Sequence, residues 1–183
     1  MRNWTIAGTL TVAPALERAD LLAEPVAKAL ATVTEPEAGV VEIDPDLADT
    51  AAFCEAYSSP LSASANCVVV SGKRGGEVRF AAALVLATTR ADVNGVIKRR
   101  LDVRKASFAP MAEAVELTGM AYGGITPVGL PTGWPILIDQ AVAASPEVVI
   151  GSGVRGSKLL VTGALLVSLP GAEVIEDLAK PAS

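Results

Sequence analysis

The sequence predicts an α+β domain built on a mixed, mostly antiparallel sheet. Three observations carry that reading. Two pairs of apolar runs are each joined by a glycine-rich link: 65–71 to 78–88 through Gly72-Lys73-Arg74-Gly75-Gly76, and 147–150 to 158–161 through Gly151-Ser152-Gly153-Val154-Arg155-Gly156. Such pairs read as β-hairpins. Helical stretches are interspersed among the hairpins instead of following every strand, which argues against a doubly wound sheet. The chain has 183 residues, enough for one domain with a single sizeable core.

Taken in order, Trp4 to Val12 reads as a strand, and Pro14 opens a helix from Ala15 to about Val33 that breaks near Pro25. Val40 to Ile43 is a short strand. Asp46 is placed to cap a helix over Leu47 to Tyr57, which Ser58-Ser59-Pro60 ends. After the first hairpin a helix runs from about Asp92 to Leu101, followed by a strand over Arg104 to Phe108. Pro110 then opens a helix that Gly119 closes. Ile136 to Asp139 is a strand leading into a short helical turn. A helix over Ala164 to Leu169 and a polar tail finish the chain.

The run Gly123-Gly124-Ile125-Thr126-Pro127-Val128-Gly129-Leu130-Pro131 belongs to neither helix nor central strand. Glycine permits positive φ and close backbone approach, while proline fixes φ and removes a donor. Two readings follow: a structural turn between two elements, or a stiff loop whose peptide N–H groups meet a ligand without an intervening side chain.

Composition narrows the chemistry. The longest clearly apolar run, Phe80 to Ala87, is far short of the roughly 20 residues that a membrane span needs. Thr5 and Gly8 interrupt the first apolar stretch, so it reads as a strand instead of a signal peptide and the protein as cytoplasmic. There is no histidine, and Cys54 and Cys67 form no CxxC pair. That excludes Ser–His and Cys–His nucleophiles and argues against a structural zinc site. Both cysteines read as buried thiols in a reducing compartment. Catalysis, if any, must run on Lys, Asp, Glu, backbone amides, water or groups of the substrate.

The net charge of −5 hides an uneven distribution. Residues 1–55 carry three basic and ten acidic side chains; residues 73–105 carry nine basic and three acidic. Lys98, Arg99, Arg100, Arg104 and Lys105 form the densest part of this basic stretch. It reads either as an ordinary solvated surface or as a face for a phosphate backbone.

From about Asp49 to Leu165 the order of motifs resembles the YbaK/ProX-type aminoacyl-tRNA editing domains, found as free-standing deacylases and inserted in bacterial prolyl-tRNA synthetases. Glu116-Leu117-Thr118-Gly119, a short spacer and Gly123-Gly124-Ile125-Thr126-Pro127-Val128-Gly129 look like the family's ELTG…GGxSPxG block. Pro135 to Asp139 looks like its following strand, and Gly151 to Gly156 like its GGxRG hairpin. Ala65-Asn66-Cys67-Val68-Val69-Val70 sits where the family has its AKTLV strand. The resemblance implies a compact domain with a barrel-like sheet, an editing core over 46–169 and a subfamily extension over 1–45. It implies hydrolysis of the ester joining a wrong amino acid to the tRNA 3′-terminal ribose, with tRNA as partner and neither metal nor organic cofactor.

The same resemblance implies a pocket formed by Asn66, the Gly123–Pro127 loop and the Gly151–Gly156 hairpin. Gly123 and Gly124 would present amides to the ester carbonyl. Thr126, Pro127, Asp139, Gly151, Ser152, Gly153 and Arg155 would contact the substrate, and Lys98 to Lys105 the acceptor-stem backbone. One departure stands out: the family's strand carries a lysine where this chain has Asn66, whereas Lys158 falls where the family often has an aspartate. An amide supplies neither positive charge nor a tunable base. Lys158 is thus either the replacement for the missing lysine or a solvent-facing strand residue. Asn66 is either a substrate ligand or a hydrogen-bonding residue that opens its strand. Asp139 can equally cap the helical turn after it, Arg155 can be a turn residue in water, and Tyr122 and Trp134 can stack on a base or pack in the core. A catalytically impaired family member that binds tRNA or an aminoacyl-nucleotide-like ligand is the alternative to a hydrolase. An unrelated small-molecule or protein-interaction domain is a third reading.

Overall fold

The structure is a computed structural model and describes residues 2–33 and 37–182. Eleven strands and six α-helices occur among them. The strands are β1 (Ala13–Pro14), β2 (Gly39–Glu42), β3 (Ala65–Arg74), β4 (Glu77–Leu86), β5 (Thr89–Ala91), β6 (Ala106–Phe108), β7 (Ile136–Asp139), β8 (Val148–Gly151), β9 (Ser157–Val161), β10 (Ala172–Ile175) and β11 (Ala179–Pro181). The helices are α1 (Glu24–Leu30), α2 (Thr50–Tyr57), α3 (Lys98–Leu101), α4 (Met111–Thr118), α5 (Gln140–Ala143) and α6 (Gly163–Val167).

One sheet has the order β1-β2-β9-β8, a second β10-β7-β4-β3-β6, and β11 pairs with β5 alone. All pairings are antiparallel except β10 with β7 and β7 with β4. The strand pairings are therefore mixed and mostly antiparallel, as expected, but they form three sheets instead of one. None of the three sheets is closed, so the barrel-like form implied by the resemblance is not found. The two larger sheets touch through a parallel bridge between Ser64 and Val149.

Side-chain alternation explains the layering, since successive residues of a strand face opposite sides. Along β9, Leu159 and Val161 join one core and Leu160 another. Along β4, Leu84 faces the first core while Ala83 and Val85 face a third with Ile97, Leu101 and Leu178. The central core thus fills the space between the sheets, and each sheet is also covered on its outer face. From Phe80 onward β4 is a continuous apolar run because both its faces are buried over residues 81–85.

The first hairpin is longer than expected. Its strands pair through to Arg74 and Glu77, leaving a two-residue loop of Gly75 (φ +59°) and Gly76 (φ +83°). A tight hairpin turn with two positive φ values favours glycine at both positions. Pro110 and Gly119 bracket α4 as expected, Gly119 taking φ +70°.

Four expectations need correction. Residues 4–12 form no strand; Gly8 takes φ +61°, and the Thr9 amide donates to the Tyr57 carbonyl, so the segment turns over the end of α2. The helix expected over residues 15–33 does break near Pro25, but its first piece is a 3-10 segment, Ala15–Leu21, and α1 ends at Leu30; Pro25 sits in the first turn of α1, where its missing N–H costs nothing. Asp46 caps nothing: Asp44 accepts from the Asp46 amide over a short 3-10 turn, and Asp49 occupies the N-cap of α2. The tail after α6 is ordered as β10 and β11.

Candidate active site

A cleft of about 570 Å³ opens where the two larger sheets meet. Its walls are the head of α2, residues 64–69 leading into and along β3, the loop containing Tyr122, Gly123 and Ile125, and the ends of β8 and β9. Phe108 on β6 and Tyr122 stand at its mouth, 62% and 58% exposed.

Lys158 is not solvent-facing. It shares a face of β9 with Leu160, and α2 covers that face, so the residue is only 7% exposed. Its Nζ donates to the Ala48 carbonyl at 2.7 Å and lies 5.6 Å from the centre of the Phe53 ring. Burial pulls its ammonium below the ordinary lysine range; Cys54 and Asp49 oppose that fall and Arg155 adds to it. The carbonyl bond and the aromatic face compensate part of the cost of keeping the cation out of water. Both Lys158 and Asn66 line the cleft.

Asn66 is oriented from α2. The Thr50 hydroxyl donates to its Oδ1 at 2.7 Å, which leaves the amide NH₂ as the group free to donate. Gly123, at φ +88°, also lines the cleft, and its N–H has no hydrogen-bond partner among the described residues. Lys158, Asn66 and Gly123, residues that can offer an ammonium, a side-chain amide and a backbone amide, therefore line one cleft. Donors of this kind stabilise the negative charge that develops on an ester carbonyl during attack.

Other expected contacts have different positions. The Gly124 amide donates to the Ala121 carbonyl, and its own carbonyl accepts from Gly153 at 2.7 Å, so this residue ties the loop to the hairpin. Gly151 lines the cleft, but Ser152 and Gly153 are buried away from it. The Ser152 hydroxyl donates to the Ser157 carbonyl at 3.1 Å. Arg155 donates to the carbonyls of Tyr122 and Pro45, bridging the loop and the segment before α2, with part of its donor fork spent. Thr126 is fully buried, and Pro127 lies in a separate cleft with Leu130 and Trp134. Trp134 stacks on Phe80, centroids 5.0 Å apart, and does not line the first cleft.

Asp139 caps α5. It accepts from the Ala141 amide at 3.1 Å and the Ala179 amide at 3.2 Å, and it lies outside the cleft. Asp139→Ala is expected to cost about 1–2 kcal/mol of stability through loss of the cap and the tie to β11. Urea unfolding should show this loss, with kcat/KM for any ester substrate within about twofold of wild type.

The basic stretch is split. Arg100 pairs with Glu173 and lines the second cleft, whereas Arg99, Arg104 and Lys105 are exposed and Lys98 is half-buried. Arg104 and Lys105 lead directly into β6, and so toward Phe108 at the mouth of the first cleft.

Sequence reasoning did not single out Asp49, Thr50 or Phe108 as parts of this cleft. Their contribution comes from the packing of α2 over β9 and the pairing of β6 with β3, for which no local pattern exists. Cys67 also lines the cleft; burial pushes its thiol up to about 12, so it is protonated and a poor nucleophile at neutral pH. Among the described residues, no three His, Cys, Asp or Glu side chains group as a metal site.

An α+β domain with a cleft of hydrogen-bond donors at its sheet junction is the class this geometry defines. Residues 44–169 match the model of the aminoacyl-tRNA editing domain, and the chain belongs to that family. Among solved structures, a proposed trans-editing enzyme for prolyl-tRNA synthetase is 28% identical, with a TM-score of 0.71 over 84% of this chain and 94% of that one. A scaffold protein used in epitope backbone grafting is 26% identical, with a TM-score of 0.71 over 84% and 95% of the two chains. A hypothetical protein at 22% identity shares the fold, with a TM-score of 0.74 over 86% and 100%. No curated protein matches the sequence significantly.

Proposed function

We propose that this chain edits in trans, hydrolysing the ester that joins a wrong amino acid to the 3′-terminal ribose of tRNA. The observation that supports this reading most directly is the convergence of Lys158, Asn66 and the Gly123 amide on one cleft. The ester carbonyl would take its hydrogen bonds from these donors, and water would attack the carbonyl carbon. The acyl C–O bond then breaks, the amino acid leaves as its carboxylate, and of the water's two protons one goes to the ribose oxygen and the other to solvent. With no histidine in the chain, the neighbouring ribose hydroxyl is the group placed to guide the water. The protein's share is then orientation and charge stabilisation, which together supply large factors in rate. The reaction so written calls for neither metal nor organic cofactor.

Lys158 takes over the electrostatic role of the lysine that the family carries on the strand of Asn66. Asn66 becomes an amide donor held by Thr50. Arg99, Arg104, Lys105 and Lys98 meet the acceptor-stem backbone, with Phe108 and Tyr122 beside the unpaired 3′ end. The editing core spans 46–169. The preceding segment supplies β1, β2 and α1, and β2 completes the sheet that presents Lys158. No helix among the described residues is long and apolar enough to cross a membrane; we place the activity in the cytoplasm, where tRNA is charged.

The test is a panel of mischarged tRNAs incubated with the protein. Release of amino acid from at least one of them, well above the spontaneous rate, is the expected result. Asn66 favours a second reading, a family member that binds without hydrolysis. Salt-sensitive tRNA binding with no release across the panel would favour it. Absence of tRNA binding even at low salt would remove both readings, because phosphate contacts are strongest there.

A further inference from the structure

Three consecutive residues at the head of α2 address the cleft in different ways. The Ala48 carbonyl accepts from Lys158, and the Thr50 hydroxyl donates to Asn66. Between them stands Asp49, an exposed residue that lines the same cleft. Asp49 is the N-cap of α2, a position where the side chain ordinarily accepts from the first free amides of the helix. Here it makes no such bond. Nor does it form an ion pair among the described residues, even though its charge reaches Lys158. It is the one Asp or Glu on the cleft wall. An exposed aspartate on the wall of a cleft, with no cap bond and no ion pair among the described residues, is available for a cation.

The ester substrate carries such a cation. An aminoacyl ester has a free α-ammonium two bonds from the carbonyl carbon, while a peptidyl or otherwise N-acylated ester has a neutral amide in its place. We propose that Asp49 binds the α-ammonium and thereby restricts the site to esters with a free amino group. This inference rests on the editing reading of the cleft. The division of labour is electrostatic. Lys158, Asn66 and Gly123 offer donors where the carbonyl oxygen gains negative charge, and Asp49 offers the acceptor where the substrate is already positive. A charge-assisted bond of this kind orients the substrate as well as holding it. N-blocked esters, such as those of a growing peptide, would lose the charge-assisted bond, and Asp49, which is exposed, would keep its water instead.

The experiment uses a hydrolysis-resistant probe, 3′-alanylamino-3′-deoxyadenosine, and its N-acetylated form, binding to the full chain. Acetylation removes the charge on nitrogen and adds bulk there, and the Asp49→Asn variant separates the two, because a preference set by bulk would survive in it. The wild type is expected to bind the free amine about tenfold more tightly than the acetylated form. Asp49→Asn should bring the two within about twofold by weakening the free amine alone. Asparagine caps helices as well as aspartate does, so the variant should fold, and its urea midpoint checks this. Asp49→Glu should retain part of the preference. Equal binding of both probes by the wild type, or an unchanged preference in Asp49→Asn, overturns the proposal. The editing reading is judged separately. Failure of the wild type to release amino acid from any mischarged tRNA would end that reading, whereas the probe preference reports on Asp49 alone.

Discussion

Lys158→Ala should lower the rate of ester hydrolysis by about 10²–10³-fold, the typical effect of losing one preorganised donor at a developing oxyanion. Single-turnover deacylation of a responsive mischarged tRNA measures this directly. The loss should lie in the chemical step, with tRNA affinity close to that of the wild type, since Lys158 is buried and the exposed basic residues lie elsewhere. Because Lys158→Ala also leaves space under α2 and the Ala48 carbonyl without its donor, Lys158→Met is the companion variant. It keeps most of the stem against Phe53 and removes the charge. Equal loss of activity in both variants assigns the effect to the ammonium. Activity preserved in Lys158→Met would sink the electrostatic role.

The same residue predicts a pH dependence of stability. Burial holds the folded-state value of Lys158 below the ordinary lysine value of the unfolded chain. Between those two values the unfolded state binds more protons than the folded state, so stability rises with pH in that window. Below the lowered value both states are protonated, and the folded state carries the full cost of the buried cation. Relative to Lys158→Met, the wild type should therefore gain stability as pH rises through the lowered value toward the lysine range. Urea midpoints measured for both proteins at several alkaline pH values test this. An opposite slope would contradict the assigned direction.

Parts of this molecule were legible in the sequence for identifiable reasons. The hairpins, α4 and β7 announce themselves through local chemistry: paired apolar runs around glycine links, a proline before a helix and a glycine after it. The editing motifs were equally visible, because they are contiguous strings. What stayed hidden depends on distant partners. β10 and β11 pair with β7 and β5 across long stretches of chain, and their short mixed sequences look like an ordinary tail. Lys158 looks like a surface strand residue until α2 is laid over its face of β9. Asp49 and Thr50 look like generic helix-start residues, and only the assembled fold puts them on the wall of the cleft. The glycine–proline loop was legible as a loop, but its second half proved to be packing: Thr126 is buried, and Gly129 approaches the backbone of Pro25, where an added Cβ would come within 2.7 Å of the carbonyl carbon.

Gly124→Ala should be among the most damaging changes next to the cleft despite adding a single methyl. A Cβ at this position would stand 2.5 Å from the Val154 carbonyl oxygen and 2.8 Å from its carbonyl carbon. These are backbone atoms of the neighbouring hairpin and have no side-chain torsion through which to move aside. The opposing side is equally tight. A Cβ on Gly151 would meet the Gly124 carbonyl oxygen at 2.6 Å, so the loop and the hairpin are held in direct backbone contact by two glycines. Overpacking of this kind costs about 1–3 kcal/mol, or about 2–4 °C of Tm per kcal/mol for a domain of this size. The functional loss should exceed what that destabilisation explains. Separating the loop from the hairpin displaces Gly123 and Ile125 from one wall of the cleft, and a shift of about 1 Å in a positioned donor can cost about 10²-fold in rate. Gly75→Ala is the control: it lies in the first hairpin's turn with no neighbour within 4 Å, and its φ of +59° imposes local strain alone. It should lose some stability and no activity. If Gly124→Ala, assayed well below its melting temperature, hydrolysed esters as fast as the Gly75→Ala control, the loop–hairpin contact would be scaffold only, and the Gly123 amide would have no part in the reaction.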